Sequence, residues 1–325
     1  MLYLILEKDN QSGYHLLYNT EIRKIFNDHK VKFQEIQLEK DYLSKTNLER
    51  INLVQSNNED IWLFAFAQNP LIEKVFYKPG RKFAHIHGLE ALSYEPAVLH
   101  GYRLFEESLL YYYDGLFVNS EYALSIIKNS YPGLATKTFV SGFPFDSGFA
   151  EKFKNIPKDD RVVAFNQRFD TDKLHTLEVY ICDRLIDSGY SILRLCSKDD
   201  YERIQWDREA RNLLSEAVKM GVQVIVTNSK DDYYRNLASA KFTVTTSIAD
   251  TLSLCMLEAA ALGSIPVAPA NGPFKEYIDN KNLYNPYNID QLLNIIEHSN
   301  KSAVDLEKYS PEKVFGIYMD SMGVK

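Results

Sequence analysis

Two kinds of hydrophobic pattern alternate along the chain. Short runs rich in β-branched and aromatic residues read as strands, and stretches with apolar residues every three or four positions read as helices. In the first half the strand candidates are Leu2–Glu7, Val31–Ile36, Ile61–Ala67, Lys82–His87, Gly115–Asn119 and Thr138–Ser141. Helical spacing runs over Ala97–Tyr112 and Glu121–Asn129, and Pro132-Gly133 marks a turn. From Asp146 to Asp160 the periodicity stops and Ser, Gly, Lys and Asp take over, which predicts a linker. The alternation then restarts with strand Arg161–Phe165, helix Leu174–Asp187, strand Ser191–Cys196 and helix Asp207–Met220. It continues through strand Val222–Thr227, helix Asp231–Ala238, strand Lys241–Thr246, helix Leu252–Leu262 and strand Ile265–Ala268. A last helix, Pro311–Met322, opens on Ser310-Pro311, a capping serine and a proline at the first helical position. Strands that alternate with helices predict parallel sheets covered on both faces. The expected fold class is therefore α/β, with a first α/β domain at 1–148, a second at 149–309 and a terminal helix at 310–325.

Composition narrows this picture. A chain of 325 residues exceeds one ordinary core and suits two domains. Its 45% hydrophobic and 25% charged content leaves no room for long disordered tails. A net charge of −7 argues against a protein coated in nucleic acid, while leaving a local basic patch open. Cys182, Cys196 and Cys255 lie far apart, without disulfide or zinc-ligand spacing, so a reducing cytoplasm is the expected compartment. The run Leu2–Leu6 is ended by Glu7, Lys8 and Asp9 and reads as a strand, not a secretory leader. No stretch approaches the roughly 18 apolar residues of a membrane span, so peripheral membrane contact is the most that is expected. With 22 tyrosines and 18 phenylalanines, ring surface is left over for stacking bases or sugars.

Candidate chemistry concentrates in the second half. Residues 247–268 read as a strand end, a turn, a helix closed by Gly263 and a further strand. Amides of Thr251, Leu252 and Ser253 at the helix start can hold an anion such as pyrophosphate. Glu258 lies eight residues after Asp250, and at 100° per residue it returns to within roughly 80°, so both carboxylates can border one ligand. Glu258 stands between Leu257 and three alanines, where a buried carboxylate needs a partner, and a sugar or ribose diol suits it. The alternative is structural, with Asp250 capping the helix and Glu258 making an internal hydrogen bond. Arg168 and Lys173, at the end of the first strand of the second unit, can neutralise a diphosphate leaving group. The alternative there is a solvated loop whose cations pair with Asp170 and Asp172. Asp170-Thr171-Asp172 matches a metal-binding Asp-x-Asp only as a chance triplet in a charged loop, and no metal is expected.

As an ordered set these residues resemble the "group 1" family of retaining GT-B glycosyltransferases. Arg168 and Lys173 match its Gly-Arg-(x)4-Lys loop, and Asp250 and Glu258 its two acids separated by seven residues. Gly263, Pro266, Gly272, Glu276 and Leu283-Tyr284-Asn285-Pro286 follow in the family order. The resemblance implies two Rossmann-like domains facing a cleft, with the last helix crossing back to the first. It implies that Arg168 and Lys173 hold the donor diphosphate, that Glu258 binds the donor ribose and that Asp250 lies near the transferred sugar. It also implies retention through a front-face mechanism, with no cofactor beyond the nucleotide sugar, UDP-linked in the favoured case. Three departures leave the sugar open: Asp250 for the usual Glu, Thr251-Leu252-Ser253 for Pro-Phe-Gly, and Gln167 for the family glycine. The glycine-rich loop after the first strand is reduced to Ser12-Gly13, so Gly13 is either a phosphate contact or a plain turn residue.

Strand alternation puts His85 and His87 on one side of the fourth strand, at its carboxyl end, where open α/β sheets meet ligands. His87, beside Gly88, is the candidate to hydrogen-bond sugar or acceptor, and His85 is its support; a structural histidine is the other reading. Lys74, Lys78, Arg81 and Lys82 interleave with Phe76, Tyr77 and Phe83, as a grip for a lipid headgroup, a glycan or DNA, or as a solvated loop. Three functions follow. The first is an NDP-sugar-dependent glycosyltransferase acting on a glycan or lipid-linked sugar. The second is a phage-type enzyme glycosylating hydroxymethylated DNA bases, and the third a non-catalytic nucleotide-sugar-binding protein.

Overall fold

The computed structural model describes residues 1–8, 14–39, 41–89, 104–169, 173–300 and 304–324, and for residues 14 and 15 the backbone alone. The chain divides into two compact units, Met1–Asp146 with Glu307–Lys325, and Ser147–Leu306.

In the first unit the apolar runs become strands β1 (Leu2–Glu7), β2 (Phe33–Leu38), β3 (Ile61–Phe64), β4 (Arg81–Ile86), β5 (Gly115–Val118) and β6 (Thr138–Val140). They form one parallel sheet in the order β2-β1-β3-β4-β5-β6. All six residues of β1 are buried, as expected of a strand covered on both faces. Helices Tyr14–Asp28, Lys45–Leu53 and Glu121–Ser130 belong to this unit, and residues 104–110 are helical. The C-terminal helix Pro311–Met322 belongs here too. It packs on helix Tyr14–Asp28 and buries Val314, Tyr318 and Met322. Tyr18 and Tyr318 are joined through their hydroxyls at 2.7 Å, and the Arg81 guanidinium donates to the Met322 carbonyl at the helix end. The crossing back implied by the resemblance is thus present.

The second unit contains β7 (Asp159–Phe165), β8 (Ser191–Ser197), β9 (Gln223–Thr227), β10 (Ala240–Val244), β11 (Ile265–Pro269) and β12 (Leu283–Tyr284). The order β12-β11-β10-β7-β8-β9 is parallel throughout. The chain steps outward from β7 to β9, returns to the other side of β7 and steps outward again from β10 to β12. The reversal between β7 and β10 is a topological switch point, where ligands of doubly wound sheets bind at the carboxyl ends of the strands. Its core includes Val163, Phe165, Ile192, Phe242, Val244, Ile265 and Val267.

Several elements differ from the sequence expectation for identifiable reasons. β2 starts at Phe33 rather than Val31, because Val31 is used to finish the preceding helix. Lys30 is left-handed at φ 55°, and the Val31 amide reaches back to the Phe26 carbonyl at 2.9 Å, a Schellman-type stop. The expected linker is structured, since Ser147–Phe153 is a 3₁₀ helix and β7 already begins at Asp159. Phe149 and Phe153 pack against Tyr234, which ties this segment down. Helices Tyr14–Asp28, Lys45–Leu53 and Lys198–Trp206 were not signalled by periodicity; the last buries only Ile204, too narrow a stripe to read. Of the helix expected over Ala97–Tyr112, residues 97–103 lie outside the described residues. Among the described residues no helix is long and apolar enough to cross a membrane.

Candidate active site

At the switch point the loop after β7 meets the segment after β10. Gln167, at the carboxyl end of β7, is buried and fastens the two strands together. Its Nε2 donates to Thr246 Oγ1 at 2.7 Å and to Glu178 Oε2 at 2.8 Å, and its Oε1 accepts from the Thr246 amide at 3.2 Å. Its carbonyl accepts from Arg194, a fully buried guanidinium whose Nε lies 3.3 Å from Glu178 Oε1. Burial pushes the Glu178 carboxyl up, against the pull of Arg194. The Gln167 side-chain amide thus cross-links the ends of β7 and β10 and the helix His175–Asp187.

Lys173 is buried beside this network. Its Nζ lies 2.6 Å from Asp250 Oδ1 and 2.9 Å from Ser247 Oγ, while the Thr246 hydroxyl donates to the Lys173 carbonyl. The fold thus brings together two candidates 77 positions apart. Arg168 stands exposed in the same loop. Asp170 and Asp172 lie outside the described residues, and among the described residues no cluster of three or more His, Cys, Asp or Glu is placed to hold a metal.

Two expectations about residues 250–258 are corrected: where the helix starts, and the place of Asp250 relative to it. The helix spans Leu254–Ala261 rather than starting at Leu252, so Thr251, Leu252 and Ser253 form the turn before it. The first amides of the helix are therefore those of Leu254 and Cys255. Asp250 lies outside the helix and does not cap it, since the cap position belongs to Ser253, which makes no side-chain cap bond. The eight-residue helical-wheel relation between Asp250 and Glu258 therefore does not hold. Of the two readings of Glu258, the internal hydrogen bonds of the structural one are present. Lys230 Nζ lies 2.8 Å from Oε1, Tyr234 Oη 3.1 Å from Oε1 and Tyr233 Oη 2.9 Å from Oε2. Asn166 Nδ2 supports this group by donating to Tyr233 Oη at 2.9 Å and to the Cys255 carbonyl at 3.0 Å. Burial, reinforced by Glu258 and Asp250, pushes the Cys255 thiol up to about 12, so it is no nucleophile.

In the first unit, His85 and His87 do lie on one side of the strand, with ring centroids 4.7 Å apart. His85 is fully buried between Asn119 Oδ1, 2.7 Å from its Nε2, and the Tyr318 hydroxyl at its Nδ1. Burial pushes its imidazole down to about 4, so it stays neutral and structural. His87 follows β4 directly and is half-buried, with Nε2 donating to the Ala65 carbonyl at 2.5 Å. Gly13 lies outside the described residues. In the basic and aromatic stretch Lys82 and Phe83 are buried, and three of the cations serve backbone carbonyls. Lys78 donates to Val54, Arg81 to Met322, and Lys82 to Lys78 and Gly80. Only Lys74, Phe76 and Tyr77 of the cluster remain exposed without such a backbone role.

The structure adds Asn166, Lys230, Tyr233, Tyr234, Thr246 and Ser247 to the residues found from sequence. Their only local signals were the Tyr233-Tyr234 pair in a predicted helix and the Ser229 cap before Lys230.

Residues 147–313 match the model of the family described as Glycosyl transferases group 1. The fold is similar to that of Anabaena HepE in complex with UDP, with a TM-score of 0.72 over 100% of both chains at 14% identity. A mutant of S. aureus TarM, in complex with Fondaparinux, alpha-GlcNAc-glycerol and UDP, has a TM-score of 0.62 at 17% identity, covering 85% of this chain and 59% of that one. A protein described as trehalose-6-phosphate from E. coli bound with UDP-2-fluoro glucose reaches 0.66 at 10% identity, covering 99% and 95%. No curated protein compared by sequence matches this chain.

Proposed function

This chain belongs to the group 1 glycosyl transferases, and from that premise we propose that it moves a hexose from a UDP-sugar to a hydroxyl of a glycan or lipid-linked sugar, with retention of configuration. The observation that carries the reading is the convergence of Lys173 and Asp250 at the switch point between β7 and β10, with Arg168 in the same loop. Breaking a sugar–phosphate bond builds negative charge on the leaving diphosphate, and fixed cations at that place stabilise it. Lys173 is suited to this because Asp250 and Ser247 hold its ammonium in one position before the ligand arrives. Arg168 adds a second cation from the solvent side. Asp250 then stands next to the sugar carried on that diphosphate, and Glu258 takes the ribose. The second unit binds the donor in this reading and the first unit the acceptor. A leaving diphosphate that itself receives the acceptor proton removes the need for a separate general base.

UDP in the complexes of HepE and TarM supports a uridine donor. The scattered cysteines support a cytoplasmic site, with membrane contact no more than peripheral. Duplex DNA is the weaker acceptor, because the head groups of Lys78, Arg81 and Lys82 are spent on backbone carbonyls.

A thermal-shift panel of UDP-, GDP-, ADP- and CMP-sugars tests the donor reading. A ligand at one hundred times its Kd adds about 2.7 kcal/mol to the native state, so the true donor raises the melting point by several degrees. Arg168→Ala and Lys173→Ala are expected to lose most of that shift, and a panel with no shift in the wild type sinks the proposal. Donor hydrolysis in the same samples separates an enzyme from a binding module.

A further inference from the structure

Glu258 carries more partners than a ribose ligand can keep. A carboxylate offers about four lone-pair sites. Three are taken, two on Oε1 by Lys230 and Tyr234 and one on Oε2 by Tyr233. A ribose diol brings two hydroxyls to one remaining site, so one protein donor must leave. Tyr234 is held in place, buried and stacked on Phe149 at a ring distance of 4.2 Å. Tyr233 is also tied down, because its hydroxyl accepts from Asn166 while donating to Glu258. Lys230 differs from both: its side chain is 64% exposed, against 4% for Glu258. It is the first residue of helix Lys230–Ser239, where the helix dipole disfavours a cation. Its ammonium sits over the Tyr233 and Tyr234 rings at 5.0 and 5.3 Å, and it regains full hydration by a simple side-chain rotation.

We propose that Lys230 is a self-ligand of the donor subsite, an ammonium paired with Glu258 that the ribose hydroxyls displace when a nucleoside diphosphate binds. The proposal rests on the ribose role of Glu258 given above. Lys230 then sets donor affinity, because every binding event first breaks an ion pair that the ligand does not rebuild. It also makes the subsite selective for an intact diol, since a sugar without hydroxyls has nothing to give Glu258 in exchange.

The test is calorimetric titration with the nucleoside diphosphate, among UDP, GDP and ADP, that gives the largest thermal shift, and with its 2′,3′-dideoxy counterpart. Lys230→Met and Lys230→Gln are expected to bind the ribonucleotide roughly two- to fivefold tighter than wild type, the range of one partly exposed ion pair. Neither variant is expected to change binding of the dideoxy compound, and Lys230→Arg, which keeps the competing cation, should stay near wild type. Ligand-free melting curves verify that each variant is folded. Weaker binding by both neutral variants, or equal tightening for both nucleotides, overturns the exchange while leaving the donor reading in place. Absence of binding by any nucleoside diphosphate to the wild type removes the donor reading and the exchange with it.

Discussion

His85 illustrates how burial, not sequence position, sets what a residue does. Two histidines at the end of β4 look equivalent by alternation, yet one is enclosed by Asn119 and Tyr318 and the other is half-buried. An unfolded histidine takes its proton near pH 6.5, whereas the enclosed ring resists until about 4, so between these values the unfolded state carries the extra proton. Stability from this group is therefore complete above pH 6.5 and is lost as pH falls towards 4, by up to about 3 kcal/mol. Glu21 acts in the opposite sense: burial and the neighbouring Asp146 push its carboxyl from 4.5 up to about 7. The folded state then binds the extra proton, and stability rises as pH falls from 7. Urea unfolding at pH 7 and pH 4.5 is expected to show a steeper acid loss in Glu21→Gln than in wild type, and a shallower one in His85→Gln. Parallel profiles for all three proteins would contradict the assignment. Motif spacing pointed to Lys173, Asp250 and Glu258, but what each one touches was not legible, because side-chain partners lie far away along the chain.

At the scale of elements, local pattern is most legible where the whole element is buried, as in β1 and the Ile265 strand, and least legible at ends. The helix Leu254–Ala261 starts two residues later than its pattern predicts, so its first amides are those of Leu254 and Cys255. Its other end was readable from sequence, since Gly263 adopts φ +77°, a conformation that suits only glycine well. An added Cβ there also meets Lys158 Cε at 3.2 Å. Gly263→Ala is expected to cost roughly 1–2 kcal/mol in unfolding free energy, checked by urea denaturation, with donor affinity preserved. A neutral effect would mean that the helix end relaxes at no cost.

For the whole molecule, the C-terminal helix belongs to the first unit although the chain reaches it from the second. It buries Val314, Tyr318 and Met322, and Tyr318 completes the hydrogen bonds of His85. At about 1.5–3 kcal/mol for each buried side chain, removing residues 310–325 is expected to cost the first unit on the order of 5 kcal/mol or more. Scanning calorimetry should then show an early transition for the first unit, and a later one that keeps the nucleotide-dependent shift of the second. Equal displacement of both transitions would contradict this division. The sequence by itself determined the two α/β units, the terminal helix with its Ser310-Pro311 start and the family-spaced cations and acids, because periodicity and spacing are local properties of the chain. Only the tertiary structure decided that Lys173 meets Asp250 across 77 residues and that Glu258 is held by Lys230, Tyr233 and Tyr234. Those pairings depend on β10 returning to lie beside β7, and strand order is set by global packing that leaves no mark in any short stretch of sequence.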